Sequence, residues 1–297
     1  MAVYTEVSDE ELIAFVADYG IGEVTSCKGI AEGVENSNYL LTTETGSFIL
    51  TLYEKRVNPD DLPFFLGLMG HLANKGIPCP TPVENQNGQM LGTLCGRHAA
   101  IISFLEGMWP RRIMPDHCAG VGEAMAKMHL AGADFEIKRP NDLSVDSWRN
   151  LLQASGDRAD EISPGLSLFL TNELDELEAG WPRPESNLPF GVIHADLFPD
   201  NIFFQRGELS GLIDFYFACN DVFAYDIAIC LNAWCFEADG SFNVTKARRM
   251  LMAYRKVRSF SDEELAALPL LARGSAMRFL LTRLYDWVNH DKTAFVQ

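Results

Sequence analysis

A chain of 297 residues with 47% hydrophobic and 22% charged side chains has the composition of a globular protein, large enough for one or two domains. Its formal net charge of −17 excludes a basic nucleic-acid-binding surface, and an anionic substrate would have to meet a local cation or a metal ion. No run approaches about eighteen consecutive apolar residues, which argues against a membrane span, and the seven cysteines are scattered without CxxC spacing, which argues against a disulfide framework or a zinc site.

The acidic N-terminus lacks the basic start and apolar run of a secretory leader, so the cytoplasm is the expected compartment. Ser8 is placed to cap an amphipathic helix, with Glu11 completing a capping box and Leu12, Phe15 and Val16 supplying the apolar stripe. A glycine- and asparagine-rich loop follows, within GIAEGVENSNYLL at residues 29–41. Two β-rich runs, NYLLTT at 38–43 and SFILTLYE at 47–54, flank the turn-like ETG and predict a hairpin. Residues 60–75 read as a helix ending at Gly76, and QMLGTL (89–94) and RHAAIISF (97–104) as two further strands. From Pro115 the pattern turns helical, with Val121, Met125 and Met128 on one stripe, and most of the remainder is helix apart from short strands at 202–205 and 210–214. The organisation expected is α+β: a smaller N-lobe over residues 1–104 built on an antiparallel sheet, and a larger, mainly helical C-lobe over 105–297, hinged at AAIISFLEG.

The chemistry concentrates in HADLFPDNIFF, residues 194–204, and in the strand, glycine turn and strand that follow it. Such a hairpin carries the chain away from Asn201 and returns it to Asp214, so the two would lie near each other at its open end. A carboxamide oxygen and a carboxylate are hard ligands that suit Mg²⁺, which prefers a few protein oxygens together with phosphate oxygens. The pair therefore points to a nucleotide triphosphate. Asp196, five residues before Asn201, is placed to accept a proton from an attacking hydroxyl. The upstream loop independently suits phosphate: Gly29 and Gly33 permit close backbone approach, and Asn36, Ser37 and Asn38 add donors. The bland alternatives are an Asx-rich turn at 194–201 and a polar β-turn at 29–38; their joint occurrence favours phosphoryl transfer.

These motifs resemble the aminoglycoside phosphotransferase and choline kinase superfamily, whose fold is protein-kinase-like, and more narrowly its homoserine kinases. The residues that carry the resemblance are GIAEGVENSNYLL (29–41), ILTLYE (49–54), DLPFF (61–65), HADLFPDNIFF (194–204), GLIDFY (211–216), YDIAICLNAWC (225–235) and RFLLTRLYD (278–286), which span nearly the whole chain. It implies a two-lobe kinase that uses ATP and Mg²⁺, with Asp196 as base, Asn201 and Asp214 as metal ligands, and the Ser103–Leu105 segment as the backbone cradle for adenine. It further implies phosphorylation of the side-chain hydroxyl of L-homoserine, a step towards threonine. Choline, ethanolamine, an aminoglycoside or a sugar are the rival acceptors, and a nucleotide-binding pseudokinase is the rival of another class.

One departure concerns the third strand, where the wider superfamily has a Lys or Arg for the α- and β-phosphates and this chain has Thr51. A hydroxyl carries no charge; Lys28 and Lys55 are the nearby cations. His194 is expected to pack behind the loop, His129 to be a satisfied core histidine, and Asp200 to face solvent. Asp226 is expected to sit at a helix N-terminus or to brace the catalytic loop, and Trp234 to lie in the core. Arg278, Arg283 and Asp286 flank the core stripe of a late helix. Such charges are usually a solvated face, but the resemblance favours contact with the carboxylate and ammonium of homoserine.

Overall fold

The computed structural model describes residues 4–30, 36–54, 57–183 and 186–289; Gly33 and Lys55 lie outside them. The chain divides into two compact units. The first comprises residues 1–108, 135–137 and 210–213, and the second 109–134, 138–209 and 214–297.

In the first unit, helix α1 (Asp9–Ala17) begins at Ser8, whose Oγ accepts the Glu11 N–H at 3.3 Å and donates to the Glu11 carboxylate at 2.7 Å. Five strands follow, β1 (Val24–Gly29), β2 (Ser37–Thr43), β3 (Gly46–Leu52), β4 (Gly92–Leu94) and β5 (Arg97–Ser103), with helix α2 (Leu62–Asn74) between β3 and β4. They form an antiparallel sheet in the order β1-β2-β3-β5-β4. The alternation read from the sequence holds along β2. Tyr39 and Leu41 face a core shared with Leu50, Leu52 and Ile101 of the sheet and Leu12 and Val16 of α1, while Asn38 and Leu40 face the other way. Strand β1 is not expected from the sequence, because VTSCKG has no apolar alternation of its own; pairing with β2 makes it a strand.

The second unit contains α3 (Pro115–Ala131), α4 (Val145–Ser155), α5 (Ala159–Ile162) and α6 (Leu166–Gly180), then the strand β6 (Phe190–Ile193). The hairpin of β7 (Ile202–Gln205) and β8 (Glu208–Leu212) follows in chain order, residues 210–212 of β8 being assigned to the first unit, and then β9 (Cys219–Val222), α7 (Phe223–Trp234), α8 (Val244–Val257) and α9 (Asp262–Asn289). The sequence reading missed β6 and β9, which pair antiparallel with each other from Phe190↔Val222 to Ile193↔Cys219. Each is four residues long and finds its partner far along the chain, so neither shows local periodicity.

The core of this unit is aromatic. Trp148 and Trp181 meet edge to face at 4.9 Å, Trp181 and Tyr225 at 5.4 Å, and Leu174, Leu177, Met277 and Leu281 complete the cluster. Two glycines set helix approach. A Cβ on Gly122 of α3 would stand 2.2 Å from the Met250 carbonyl oxygen of α8, and one on Gly274 of α9 would stand 2.0 Å from the Trp181 ring. By length and composition α9 could cross a membrane. However, Leu271, Gly274, Met277, Arg278, Leu281 and Leu284 of this helix are buried in the unit, as in a core helix.

Candidate active site

Strand β6 delivers the chain to His194, fully buried with its ring 4.6 Å from that of Phe215, as expected for a residue packed behind the loop. Ala195 follows at φ 63°, in the left-handed region, which costs a non-glycine residue about 1 kcal/mol or more. The backbone then turns through Asp196 and Leu197 into a single 3₁₀ turn, Pro199–Asn201, in which Pro199 supplies the fixed φ of a turn start. The Phe198 N–H donates to the Asp196 carbonyl at 2.8 Å and the Asn201 N–H to the Phe198 carbonyl at 3.0 Å.

Side chains from two helices hold this loop in its strained form. Asp226 on the first turn of α7 is fully buried and accepts the backbone N–H of His194 at 3.0 Å and of Ala195 at 2.9 Å. It also meets His129 Nε2 at 3.0 Å. Burial pushes the Asp226 carboxyl up, but the His129 hydrogen bond, the nearby charges of His129 and His194, and the backbone N–H of His194 together hold it below its ordinary value. His129 is satisfied on both nitrogens, with Nδ1 2.8 Å from the Tyr254 hydroxyl, and its ring stacks on Phe223 at 4.5 Å. Further along α7, the Trp234 indole N–H donates to the Leu197 carbonyl at 2.7 Å. From α9, Arg278 Nη1 donates to the Ala195 carbonyl at 2.5 Å. Asp226 is thus the brace that was one of its two expected roles. The parts played by Trp234 and Arg278 were not read from the sequence, because each acts on a backbone carbonyl distant along the chain.

Within the loop, Asn201 Nδ2 donates to the Asp196 carbonyl at 2.8 Å and to Asp196 Oδ2 at 3.1 Å. The carboxamide therefore orients the Asp196 carboxylate through Nδ2, and its Oδ1 is not used in that pair. Asn201 is 9% exposed and Asp196 half-buried, so the carboxylate retains access. After β7, Arg206 and Gly207 form the turn, both at positive φ (53° and 87°), the conformation a two-residue β-hairpin requires. Strand β8 returns the chain to Asp214, which is exposed and itself left-handed at φ 62°. Asn201 and Asp214 thus stand at the two ends of the hairpin's open side. Asp200 faces solvent.

The donor set fits Mg²⁺. One carboxamide oxygen and one carboxylate are hard ligands, and two are the number Mg²⁺ takes when phosphate oxygens and water supply the rest. Among the described residues no group of three or more His, Cys, Asp or Glu side chains could hold a metal unaided, so an ion here would come with the nucleotide.

In the first unit the proposed phosphate loop is partly spent on its own structure. Ser37 is fully buried; its Oγ accepts the N–H of Tyr4 at 2.9 Å and of Thr5 at 3.1 Å and donates to Glu54 at 2.7 Å. Asn36 is 5% exposed and its Oδ1 accepts the Glu54 N–H at 3.3 Å. These oxygens are engaged within the unit: β2 turns Ser37 inward, and Asn36, just before the strand, is buried against Glu54. Asn38 faces the opposite side of the sheet from Ser37, with Oδ1 taken by the Thr51 hydroxyl at 2.8 Å; its NH₂ end is the part left to donate. Lys28 pairs across to Leu40 and so shares that side of the sheet, and is exposed. Gly29 ends β1 opposite Tyr39. Ser103 pairs with Thr81: its N–H donates to the Thr81 carbonyl and its Oγ accepts the Thr81 N–H, at 2.8 and 2.9 Å. Leu105 is half-buried, its side chain lying close over Gly211.

The three charges of α9 differ in burial. Arg278 is 2% exposed and aimed at the Ala195 carbonyl, whereas Arg283 is exposed and Asp286 half-buried. Five helical residues carry Arg283 about 140° round the helix from Arg278, so one faces the core and the other solvent.

Residues 26–260 match the phosphotransferase enzyme family. A homoserine kinase of Rhodospirillum rubrum is 63% identical over 297 residues, covering 100% of this chain and 92% of that protein. A homoserine kinase of Nitrobacter winogradskyi is 65% identical, covering 100% of this chain and 90% of that protein. Among solved structures, a spectinomycin phosphotransferase bound to AMP matches with a TM-score of 0.71 at 12% identity, covering 97% of this chain and 92% of that one. A choline kinase of Cryptosporidium parvum matches at 0.69 and 14%, covering 95% and 90%. These two likenesses concern the fold: a five-stranded antiparallel sheet followed by a mainly helical region.

Proposed function

The chain belongs to the phosphotransferase enzyme family and, within it, to the homoserine kinases, and from that premise we propose how its own residues carry out the transfer of a phosphoryl group from ATP to the side-chain hydroxyl of L-homoserine. The product is O-phospho-L-homoserine, on the route to threonine. Asp196 accepts a hydrogen bond from the homoserine hydroxyl and takes its proton as the oxygen attacks the γ-phosphorus. Asn201 keeps the Asp196 carboxylate turned to that hydroxyl through the hydrogen bond its Nδ2 donates at 3.1 Å. This contact carries the reading, since it gives one asparagine two tasks. Its Nδ2 orients the base, and its Oδ1, together with Asp214, would hold Mg²⁺. Bound there with the nucleotide, Mg²⁺ supplies neutralisation of charge on the transferred phosphoryl group. Most of the rate gain would come from placement and electrostatics.

The nucleotide contacts proposed for the first unit are Gly29, Gly33, the Asn38 amide and the backbone of Ser103–Leu105. Lys28 is the cation offered in place of the missing third-strand Lys or Arg. For the zwitterion, Arg283 and Asp286 lie three residues apart on α9 and so share a helix face; they suit its carboxylate and ammonium. All seven cysteines are free thiols, in keeping with the cytoplasm.

Coupled ADP release from the purified protein, across a panel of L-homoserine, choline, ethanolamine and an aminoglycoside, tests the reading. Release is expected with L-homoserine, with a phosphate monoester in the ³¹P spectrum, and chelation of divalent cations should stop it until Mg²⁺ is restored. Preferential turnover of choline or the aminoglycoside, or no turnover of any acceptor, would contradict it.

A further inference from the structure

Arg278 is a buried cation that donates to a backbone carbonyl and lies beside the buried Tyr225 hydroxyl. Its guanidinium lies 4.6 Å from the centre of the Phe279 ring and 5.5 Å from that of Phe217, and Nη1 donates to the Ala195 carbonyl. Its Nε is buried without a partner. No described carboxylate lies within ion-pair distance of it; Asp221 and Asp226 act on the same neighbourhood only through their charge. Burying a guanidinium without a carboxylate is costly, and a methionine of similar length would pack into the same aromatic surroundings at less cost. Stability of the core therefore does not account for an arginine here.

We propose that Arg278 is a positioning residue: it fixes the carbonyl side of the left-handed Ala195, and so the direction in which Asp196 leaves the loop. Asp226 holds the N–H groups of His194 and Ala195 from α7, and Arg278 holds the Ala195 C=O from α9. Ala195 is thus bracketed on both sides of its Cα, which fixes φ and ψ of a residue that would otherwise relax from φ 63°. Relaxation would swing the Asp196 carboxylate off the acceptor oxygen, and misplacement by about 1 Å costs about 10²-fold in rate. The flat guanidinium beside two rings suits this task better than an ammonium, because stacking on an aromatic face favours one orientation of its plane. The inference rests on Asp196 being the base.

The test is steady-state kinetics of R278M and R278K beside wild type and D196N. In R278M, kcat should fall about 10²-fold, with the KM for ATP and for homoserine each within about twofold and the melting temperature near that of wild type. R278K should recover part of the lost kcat. Unchanged kcat in R278M would overturn the proposal. So would a raised KM for homoserine with kcat intact, which would make Arg278 a partner of the substrate carboxylate. If R278M does not fold, R278K decides: reduced kcat at unchanged KM supports the proposal, and full kcat overturns it. Active R278 variants beside a dead D196N would refute only this inference, whereas an active D196N would refute the reading beneath it.

Discussion

Asp196→Asn is expected to retain ATP binding while losing turnover by about 10²- to 10⁴-fold, the range that a positioned general base contributes. The substitution is nearly isosteric. It keeps an oxygen for the Asn201 amide, which donates to Asp196 Oδ2 at 3.1 Å and to the Asp196 carbonyl at 2.8 Å. The loop backbone is held by other groups, Asp226, Trp234 and Arg278, so its course should survive. What disappears is the carboxylate's capacity to take a proton. ADP release at saturating homoserine measures the loss, and calorimetric titration with ADP measures binding. Turnover within tenfold of wild type would remove Asp196 from the chemistry.

Asp226→Asn is expected to destabilise the protein by about 3–5 kcal/mol, the cost of breaking a buried charge arrangement from one side. That is a large share of the roughly 5–15 kcal/mol available to a folded domain. The carboxylate accepts from two backbone N–H groups and lies 3.0 Å from His129 Nε2. A carboxamide must turn its NH₂ towards one of these, leaving a buried group unsatisfied. Chemical denaturation reads the loss, and turnover should fall with it because Ala195 loses its N–H anchor. The pH dependence has a definite sign. The Asp226 pKa is held below its ordinary value of 3.8. A carboxyl depressed by folding contributes stability that is fully present above its unfolded pKa and is lost as pH falls through the folded one. Wild type should therefore shed this contribution below about pH 4, and D226N should show a shallower acid slope. An equally steep acid slope in D226N would assign the acid lability elsewhere.

What the sequence disclosed and what it concealed divide along a physical line. The spacing of Asp196, Asn201 and Asp214 was legible because it is local: a loop, a two-residue turn at Arg206–Gly207 and a return strand are short-range features. The sheet of the first unit was legible from alternation, apart from β1, which lacks it. Asn36 and Ser37 were read as phosphate donors from composition alone. The register of β2 turns Ser37 inward onto Glu54 and the chain at Tyr4–Thr5, and Asn36, just before the strand, is buried against Glu54. The same register left Asn38 on the other side with Thr51. Arg278 and Arg283 looked equivalent as charges beside a core stripe, yet helical rotation buries one and exposes the other. The contact of Arg278 with a carbonyl 83 residues earlier is set by how α9 packs, and no local pattern encodes that. For the same reason Trp234 read only as core, although its indole N–H ends on Leu197.

Under the proposed mechanism Asn201 and Asp214 hold the metal of a bound nucleotide while Asp196 serves the acceptor. Titration of Mn²⁺ in the presence of ADP, followed by electron paramagnetic resonance, tests it most directly in wild type, D214A and D196N. Nucleotide-supported Mn²⁺ binding should weaken at least about tenfold in D214A, the loss typical of removing one strong charged contact. In D196N it should remain near wild type. Mn²⁺ binding in D214A as tight as in wild type, or lost in D196N instead, would contradict this division of roles.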